Sequence, residues 1–597
     1  MSKKFAKLPI AVGSRSKQNL SATTYLTQDF GRLSVLYHTE VCPNDDINLD
    51  VSQFMRMAPL CYPTHGSIRH DIRVFFVPNR ILTKQPKDAA TNEFSWDNYI
   101  TGVSNNAHPY LLGTNIKYYL NTTGHLDADG FYTSVKGTPY EKDCRRLISE
   151  LGLPEAFYQS LEASDDGIHI NPFAFAAYQR IWWDYYRDSN LISEQEISKF
   201  VPTLVTGSNS TLTYKLLVPR YACFQKDYFT TAKLYPQSGS DASVARVDVA
   251  TSLNPSIAAT NSQLLGVTSD GLVGKVASSG SSGYPSIGSF NSSPNSVIGQ
   301  LQIEVLRRAN ALQKYLERNN IVGSRLIERF LARFGVSPTS EQLQMCEYLG
   351  GSSKTYDIGS VMSSVETATG SQTAASDAFG QYMIQGGSGS IQGSTSGAGA
   401  VQVNSGNVKY HAKEFGTLMV IGSIVPNVIY TDGLRRSWSR GVLGDRFEYL
   451  TPEFDRLGYE PIYQQEIYHE QNTNSYPFGF VPRYQSYKYQ PSVKAGDLVL
   501  RGTNAFLDVV AIDRSFDEPP TLNREFTMIE PHNRYFLDKM FQIQGNSVID
   551  NFDHFMGYAH CECIVTRSLS DDGMPALDPD LDDSKKKILV ENGGIRF

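Results

Sequence analysis

The side chains in this sequence best suited to metal ligation or nucleophilic catalysis are seven cysteines and eleven histidines. Their densest grouping is His554, His560, Cys561 and Cys563, four ligands of the types zinc takes. Cys561-Glu562-Cys563 leaves a single residue between the thiols, too few for a finger, and Ile564-Val565 continues the segment as an ordinary strand. His469-Glu470 opens like a zincin helix, but Thr473 stands where the second imidazole is needed. Gly266 to Gly271 has the glycine spacing of a phosphate-cradling loop, yet Leu272 occupies the position of the lysine. Gly274-Lys275 lacks both the upstream spacing and a following Ser or Thr, and Gln392 breaks the dinucleotide pattern near Gly387. The nucleophile-elbow pattern G-x-S-x-G does not occur. Asp165-Asp166 and Asp571-Asp572 are carboxylate pairs, but they sit in Gly-bearing stretches where solvated turns explain them. Trp182 and Trp183 would make a sugar-stacking platform, although aromatics at helical spacing more often belong to a core. The expectation is no catalytic residue, no metal site and no cofactor.

The remaining chemistry is cationic. Lys3, Lys4, Lys7, Arg15 and Lys17 all precede the first acidic residue, Asp29, and are the candidate nucleic-acid contacts, as an interior-facing arm; a solvated tail fits the same residues. The net charge of −7 excludes a protein that neutralises nucleic acid over its whole surface, so any such contact is local. Only 19% of the 597 residues are charged, below the usual quarter or so, which suggests a surface largely covered by neighbours. The cysteines are odd in number and scattered, and read as reduced thiols. No apolar run resembles a signal peptide or membrane span, so the expectation is cytoplasmic synthesis without membrane insertion.

The elements that must position these residues are mostly strands. Leu33, Val35 and Tyr37 alternate, Pro43-Asn44-Asp45-Asp46 breaks the run, and Ile47, Leu49 and Val51 alternate again, which reads as a strand pair. Arg69 to Val77 is a third strand, apolar on one face at Ile72, Val74 and Phe76 and partly so on the other. Helices are predicted over Phe173 to Asn190, Leu301 to Glu317 and Arg325 to Phe334, the last two with arginines off an apolar stripe, which read as a solvated face beside a core, with nucleic-acid contact as the alternative. Beyond Phe415 strands return at Leu418 to Val425, Ile429-Tyr430, Leu498 to Leu500 and Phe506 to Ile512. Two Gly/Ser-rich stretches interrupt the pattern. Ser238 to Gln300 reads as a loop with a short strand at Ala245, Val247 and Val249, and Thr367 to Asn407 as a loop with one charge, Asp377. Many short strands with Gly/Pro turns favour a mainly β sandwich or barrel.

These islands form an ordered series. Val41-Cys42-Pro43 with Ile47-Asn48-Leu49, Phe75 to Arg80, Tyr178-Gln179 with Arg187-Asp188, Lys226 to Ala232, Phe334-Gly335-Val336 leading to Glu347 to Gly351, Pro452-Glu453-Phe454 and Arg483-Tyr484 resemble the major capsid proteins of microviruses, in particular the gokushovirus-like branch. The resemblance implies a single eight-stranded antiparallel jelly roll with long inserted loops and a few helices. It divides the chain into an arm at 1–30, a first jelly-roll part at 31–237, a surface insertion at 238–300, a helical segment at 301–366, a loop at 367–407 and the remainder at 408–597. It further implies a homo-oligomeric shell of about sixty copies in the simplest icosahedral lattice. The implied partners are a circular single-stranded DNA genome, a small basic packaging protein, a minor DNA-pilot protein and a host receptor met by the insertion. The chain would be a virion component assembled in a bacterial cytoplasm, and no enzyme. A β-rich carbohydrate-active enzyme or lectin is the competing reading, resting on the aromatics and loop carboxylates.

Overall fold

The structure is a computed structural model that describes residues 15–83, 109–161, 168–204, 207–208, 213–237, 265–267, 273–275, 303–323, 325–362, 375–376, 382–383, 395–440, 449–455, 458–468, 477–499, 509–541 and 552–569. It divides into two units, one of Met1–Pro236 with Val322–Phe597 and one of Gln237–Ile321.

Alternating or continuous apolar runs make the strands of the first unit: β1 Ser16–Asn19, β2 Ala22–Gln28, β3 Ser34–Val41, β4 Asp46–Met57, β5 Ile68–Pro78, β6 Glu347–Thr355, β7 Asp357–Met362, β8 Thr395–Asn404, β9 Val408–His411, β10 Gly416–Pro426 and β11 Phe555–Arg567. They form two antiparallel sheets. The larger has the order β1-β11-β4-β8-β7, with β2 also on β11 and β9 also on β4; the smaller has the order β6-β5-β10-β3. In β4 the alternation is strict, burying Ile47, Leu49, Val51, Met55 and Met57 while Asp46, Asn48 and Arg56 face out. Its neighbour β11 buries Phe555, Ala559, Cys561, Cys563 and Val565 in the same way. The smaller sheet is covered twice. Every residue of β10 is buried, because helix α3, Phe173–Ile181, and the π-helical turn Trp182–Tyr186 pack on its far side, where Phe75 meets Tyr185 and Tyr186. Before them in the chain come α1, Gly113–Asn121, and α2, Glu141–Glu150. A smaller core of Tyr228, Phe229, Ile462, Phe478 and Phe526 surrounds the hairpin Tyr459–Tyr463 with Pro477–Pro482.

The second unit holds α4, Ile303–Val322, and a hairpin of Leu265–Val267 with Val273–Lys275 in which Gly266 and Gly274 lie opposite one another. Gly266 of the phosphate-loop spacing therefore lies in a strand, while Gly271 lies outside the described residues. The predicted strand at Ala245 to Val249 lies outside the described residues.

Several expectations change. The runs around Val35 and Leu49 are not paired with each other: β3 pairs with β10 and β4 with β11, so the turn at Asn44 carries the chain from one sheet to the other. Alternation fixes a strand but not its partner. The stretch Thr367 to Asn407, read as one loop, contributes the ten-residue strand β8 to the larger sheet, with Gly397, Val401 and Val403 facing the core. Its strand character is hidden because a Cβ at Gly397 would overlap Leu60 and one at Gly399 would overlap Met57. Gly496–Val499 is a 3₁₀ turn, not the strand predicted at Leu498 to Leu500, and the described part of Phe506 to Ile512 carries no strand. Short apolar runs do not distinguish strand from turn by periodicity alone. The predicted helix over Phe173 to Asn190 leaves α geometry at Trp182 and stops after Tyr186.

Gly31, in the turn from β2 to β3, has φ +74°, and a Cβ there would overlap Ile529. Gly130 also has positive φ, +83°, but faces open space. Gly31→Ala is expected to lower the stability of the unassembled subunit by about 3 kcal/mol or more, against about 1–2 kcal/mol for Gly130→Ala, in urea unfolding. Equal losses would mean that contact with Ile529 does not constrain the turn.

Candidate functional site

Two regions bring functional side chains together, and the first is the outward face of the larger sheet. Lys17 is exposed on β1 opposite Thr566 of β11. Arg15 is exposed, paired with Asp46 at 2.7 Å and donating to the Thr566 carbonyl at 3.0 Å. Lys3, Lys4 and Lys7 lie outside the described residues. Across the same face the register sets Tyr25, Tyr558 and Phe54 in one row. Tyr25 is 82% exposed, the ring centroids are 6.2 and 6.0 Å apart, and the Arg56 guanidinium lies 5.4 Å from the Phe54 ring. Lys17, Arg56, Lys409 and the Asp46-paired Arg15 stand on this face with Asp46, Asp50 and Glu562. Such a face can stack planar groups. Sequence reasoning missed it, although the signal was present: Tyr25 and Tyr558 occupy the outward phase of their strands.

The second region is buried. Arg32, 1% exposed, reaches Glu150 Oε1 at 3.1 Å and both Asp143 and Asp553 at 3.4 Å, and donates to the Thr27 carbonyl at 2.6 Å. Lys142 Nζ bridges Asp29 at 3.0 Å and Asp553 at 3.2 Å, while Arg534 reaches Asp29 at 3.1 Å and Asp143 at 3.7 Å. His554 Nδ1 lies 3.1 Å from Asp29 Oδ1. Burial opposes the charge on Asp29, but Arg534 and Lys142 outweigh it and hold its carboxyl well below the usual range. Asp553 is depressed likewise, with burial outweighed by Arg32 and Lys142. Glu150 differs: burial pushes it up to about 7, outweighing Arg32, which it shares with other carboxylates, and the hydrogen bonds it accepts from the Val35 N–H and the Ser34 side chain.

Asp29, Asp538 and His554 bring possible metal donors within 4.8 Å of one another, but the charge of Asp29 is already met by Arg534 and Lys142. The metal constellation weighed from sequence is dispersed. Cys561 and Cys563 point into the core, His560 points outward and bonds Thr23 Oγ1 at 2.8 Å, and His554 belongs to the ion network. Trp182 and Trp183 are both buried, as core residues. His469-Glu470, Asp165-Asp166, Asp571-Asp572 and Lys585 to Lys587 lie outside the described residues. The helix α5, Leu326–Phe334, corrects the expectation of an apolar stripe against a core: none of its residues is buried, and Leu326, Leu331 and Phe334 are exposed.

A family model described as capsid protein (F protein) matches residues 6–108 and 158–571 of the chain. The chain belongs to this capsid family. It is 27% identical over 543 residues to the capsid protein VP1 of Bdellovibrio phage phiMH2K, covering 87% of this chain and 89% of the relative. It is 26% identical to capsid protein VP1 of Chlamydia phage 1, covering 88% and 91%, and 25% identical to that of Spiroplasma virus 4, covering 81% and 82%. The role is therefore structural, as a component of the virion, and the competing reading of a carbohydrate-active enzyme gives way.

Removing Arg32 leaves buried carboxylates without their shared cation. Arg32→Met is expected to cost the subunit about 3–5 kcal/mol in urea unfolding; a loss under about 1 kcal/mol would mean that the network is inessential. Because Glu150 titrates in the folded chain above its ordinary value of 4.5, its contribution is fully present below pH 4.5 and is lost as pH rises through about 7. Glu150→Gln should remove this slope, so that the variant gains on the wild type by something on the order of 2 kcal/mol between pH 5 and 8. A constant difference over that range would contradict it.

Proposed function

We propose that this capsid protein is a single eight-stranded jelly roll that assembles, in about sixty copies, into the simplest icosahedral shell around a circular single-stranded DNA genome. The observation that carries the reading is the strand order. If β1 and β2 count as one broken strand and β8 and β9, which share the partner β4, as another, and β7 is set aside as an added edge strand paired antiparallel with β8, eight strands follow in the chain. The larger sheet then has the order first, eighth, third, sixth, and the smaller has fifth, fourth, seventh, second, two interleaved Greek keys facing each other.

The net charge of −7 supports a division of labour in which a separate small basic protein neutralises most of the genome. A minor DNA-pilot protein and a host receptor complete the set of partners. The arm carrying Lys3, Lys4, Lys7, Arg15 and Lys17 would touch DNA locally. The insertion at 238–300 would meet the receptor, in keeping with its position in a separate unit of the chain. No helix among the described residues is long and apolar enough to cross a membrane.

Electron microscopy of the full chain expressed with its phage partners is expected to yield closed isometric particles; a persistent monomer under all assembly conditions would overturn the shell. Within such particles, replacing Lys3, Lys4 and Lys7 by Gln should reduce packaged DNA, and deleting Ala242 to Asn295 should leave the shell intact while impairing adsorption to cells. Unchanged DNA content would reduce the arm to a solvated terminus, and insolubility of the deletion would make the insertion part of the core.

A further inference from the structure

A cavity of about 70 Å³ lies between the α1–α2 region and the segment carrying Arg524 and Glu530. Its walls are aromatic, from Tyr119, Phe131, Trp182 and Tyr221, and its charged groups are Arg220, Arg524 and Glu530. A single water needs about 10–15 Å³ by this measure, so the space holds a group of a few heavy atoms and not a nucleoside.

Arg220 is 4% exposed, yet its partners are all neutral. Nε donates to Gln179 Oε1 at 2.5 Å, Nη2 donates to the Phe200 carbonyl at 2.6 Å, and the guanidinium lies 4.3 Å from the centre of the Trp182 ring. The carboxylate on the cavity wall is already engaged: Arg524 holds Glu530 Oε1 through Nε at 3.1 Å and Nη2 at 2.9 Å, and the Tyr140 hydroxyl donates to Oε2 at 3.0 Å. The two guanidinium groups thus stand beside a single carboxylate that Arg524 already holds, in contrast to Arg32, which touches three carboxylates. Burial, and then repulsion from Arg524, pushes Arg220 down to about 9, still protonated at neutral pH. A buried cation without a counter-ion is costly unless something anionic joins it.

We propose that this cavity is a binding site for a compact oxyanion of the phosphate class, held by Arg220 in its depth and by the second positive charge of Arg524, with the aromatic walls excluding water. Guanidinium groups match the oxygen geometry of phosphate, and charge-assisted bonds in a water-poor site are the strong ones. The reading is independent of shell geometry.

Calorimetric titration of the full chain with inorganic phosphate, at constant ionic strength set with chloride, tests it. Saturable binding is expected, weakened about tenfold or more by Arg220→Gln and less by Arg524→Gln. Displacement of the bound phosphate by a short oligo(dT) would identify a nucleic-acid backbone as the source, and failure to displace it a free phosphate or phosphate monoester; either result supports the site. Absence of binding by the wild-type chain, or equal affinity in Arg220→Gln, overturns it. If that variant does not fold, the wild-type Tm in low-millimolar phosphate against chloride at constant ionic strength decides: a rise that grows as the logarithm of phosphate concentration at concentrations too low for salting-out supports the site, and no difference overturns it.

Discussion

The fold depends on bringing Asp29, Arg32, Lys142, Asp143, Glu150, Arg534, Asp553 and His554 together away from water. These residues come from the turn after β2, from α2 and from the segment before β11, so one network ties three distant parts of the chain. Such a network adds little net stability over a well-packed apolar core, but it punishes any arrangement that leaves one member unpaired. It therefore acts on specificity: a shifted α2 or a slipped β11 would strand charges in the interior. The same constraint explains why one carboxylate, Glu150, is left with a raised affinity for protons while Asp29 and Asp553 are held ionised.

Much of the sheet framework was legible in the sequence because it follows side-chain period. The runs at Val35, Leu49, Val74 and Val420 became β3, β4, β5 and β10 where alternation or continuous apolarity placed them. What failed was information that period does not carry. Partner choice is a long-range property, so β3 and β4 looked like a hairpin and instead belong to different sheets. Gly397 and Gly399 are small because Leu60 and Met57 press against them, and smallness read as a loop.

The site was less legible than the fold, for a related reason. Arg32 and Asp553 are 521 residues apart, and each looks like an ordinary surface charge in its local context. His554, His560, Cys561 and Cys563 look like a ligand set when written in a line, but the two-residue period of β11 sends the thiols inward and His560 outward. The ordered islands that resemble microvirus capsid proteins were more informative than any single motif, since the family match runs through nearly all of them. The uncovered apolar side of α5 escaped notice because periodicity reports that a stripe exists, not what covers it.

The position of β11 has a consequence for how the chain is made. It lies inside the larger sheet, between β1 with β2 on one side and β4 on the other, yet it is the last strand among the described residues to leave the ribosome. Until it arrives, β4 presents a bare edge, and Arg32 waits for Asp553. Closure of this sheet therefore waits for its last described strand, and the waiting chain carries the hazards of an open edge. A product that stops short of residue 553 lacks both β11 and one of the carboxylates that meet Arg32. The topology thus screens truncated subunits out before they can be built into a virion.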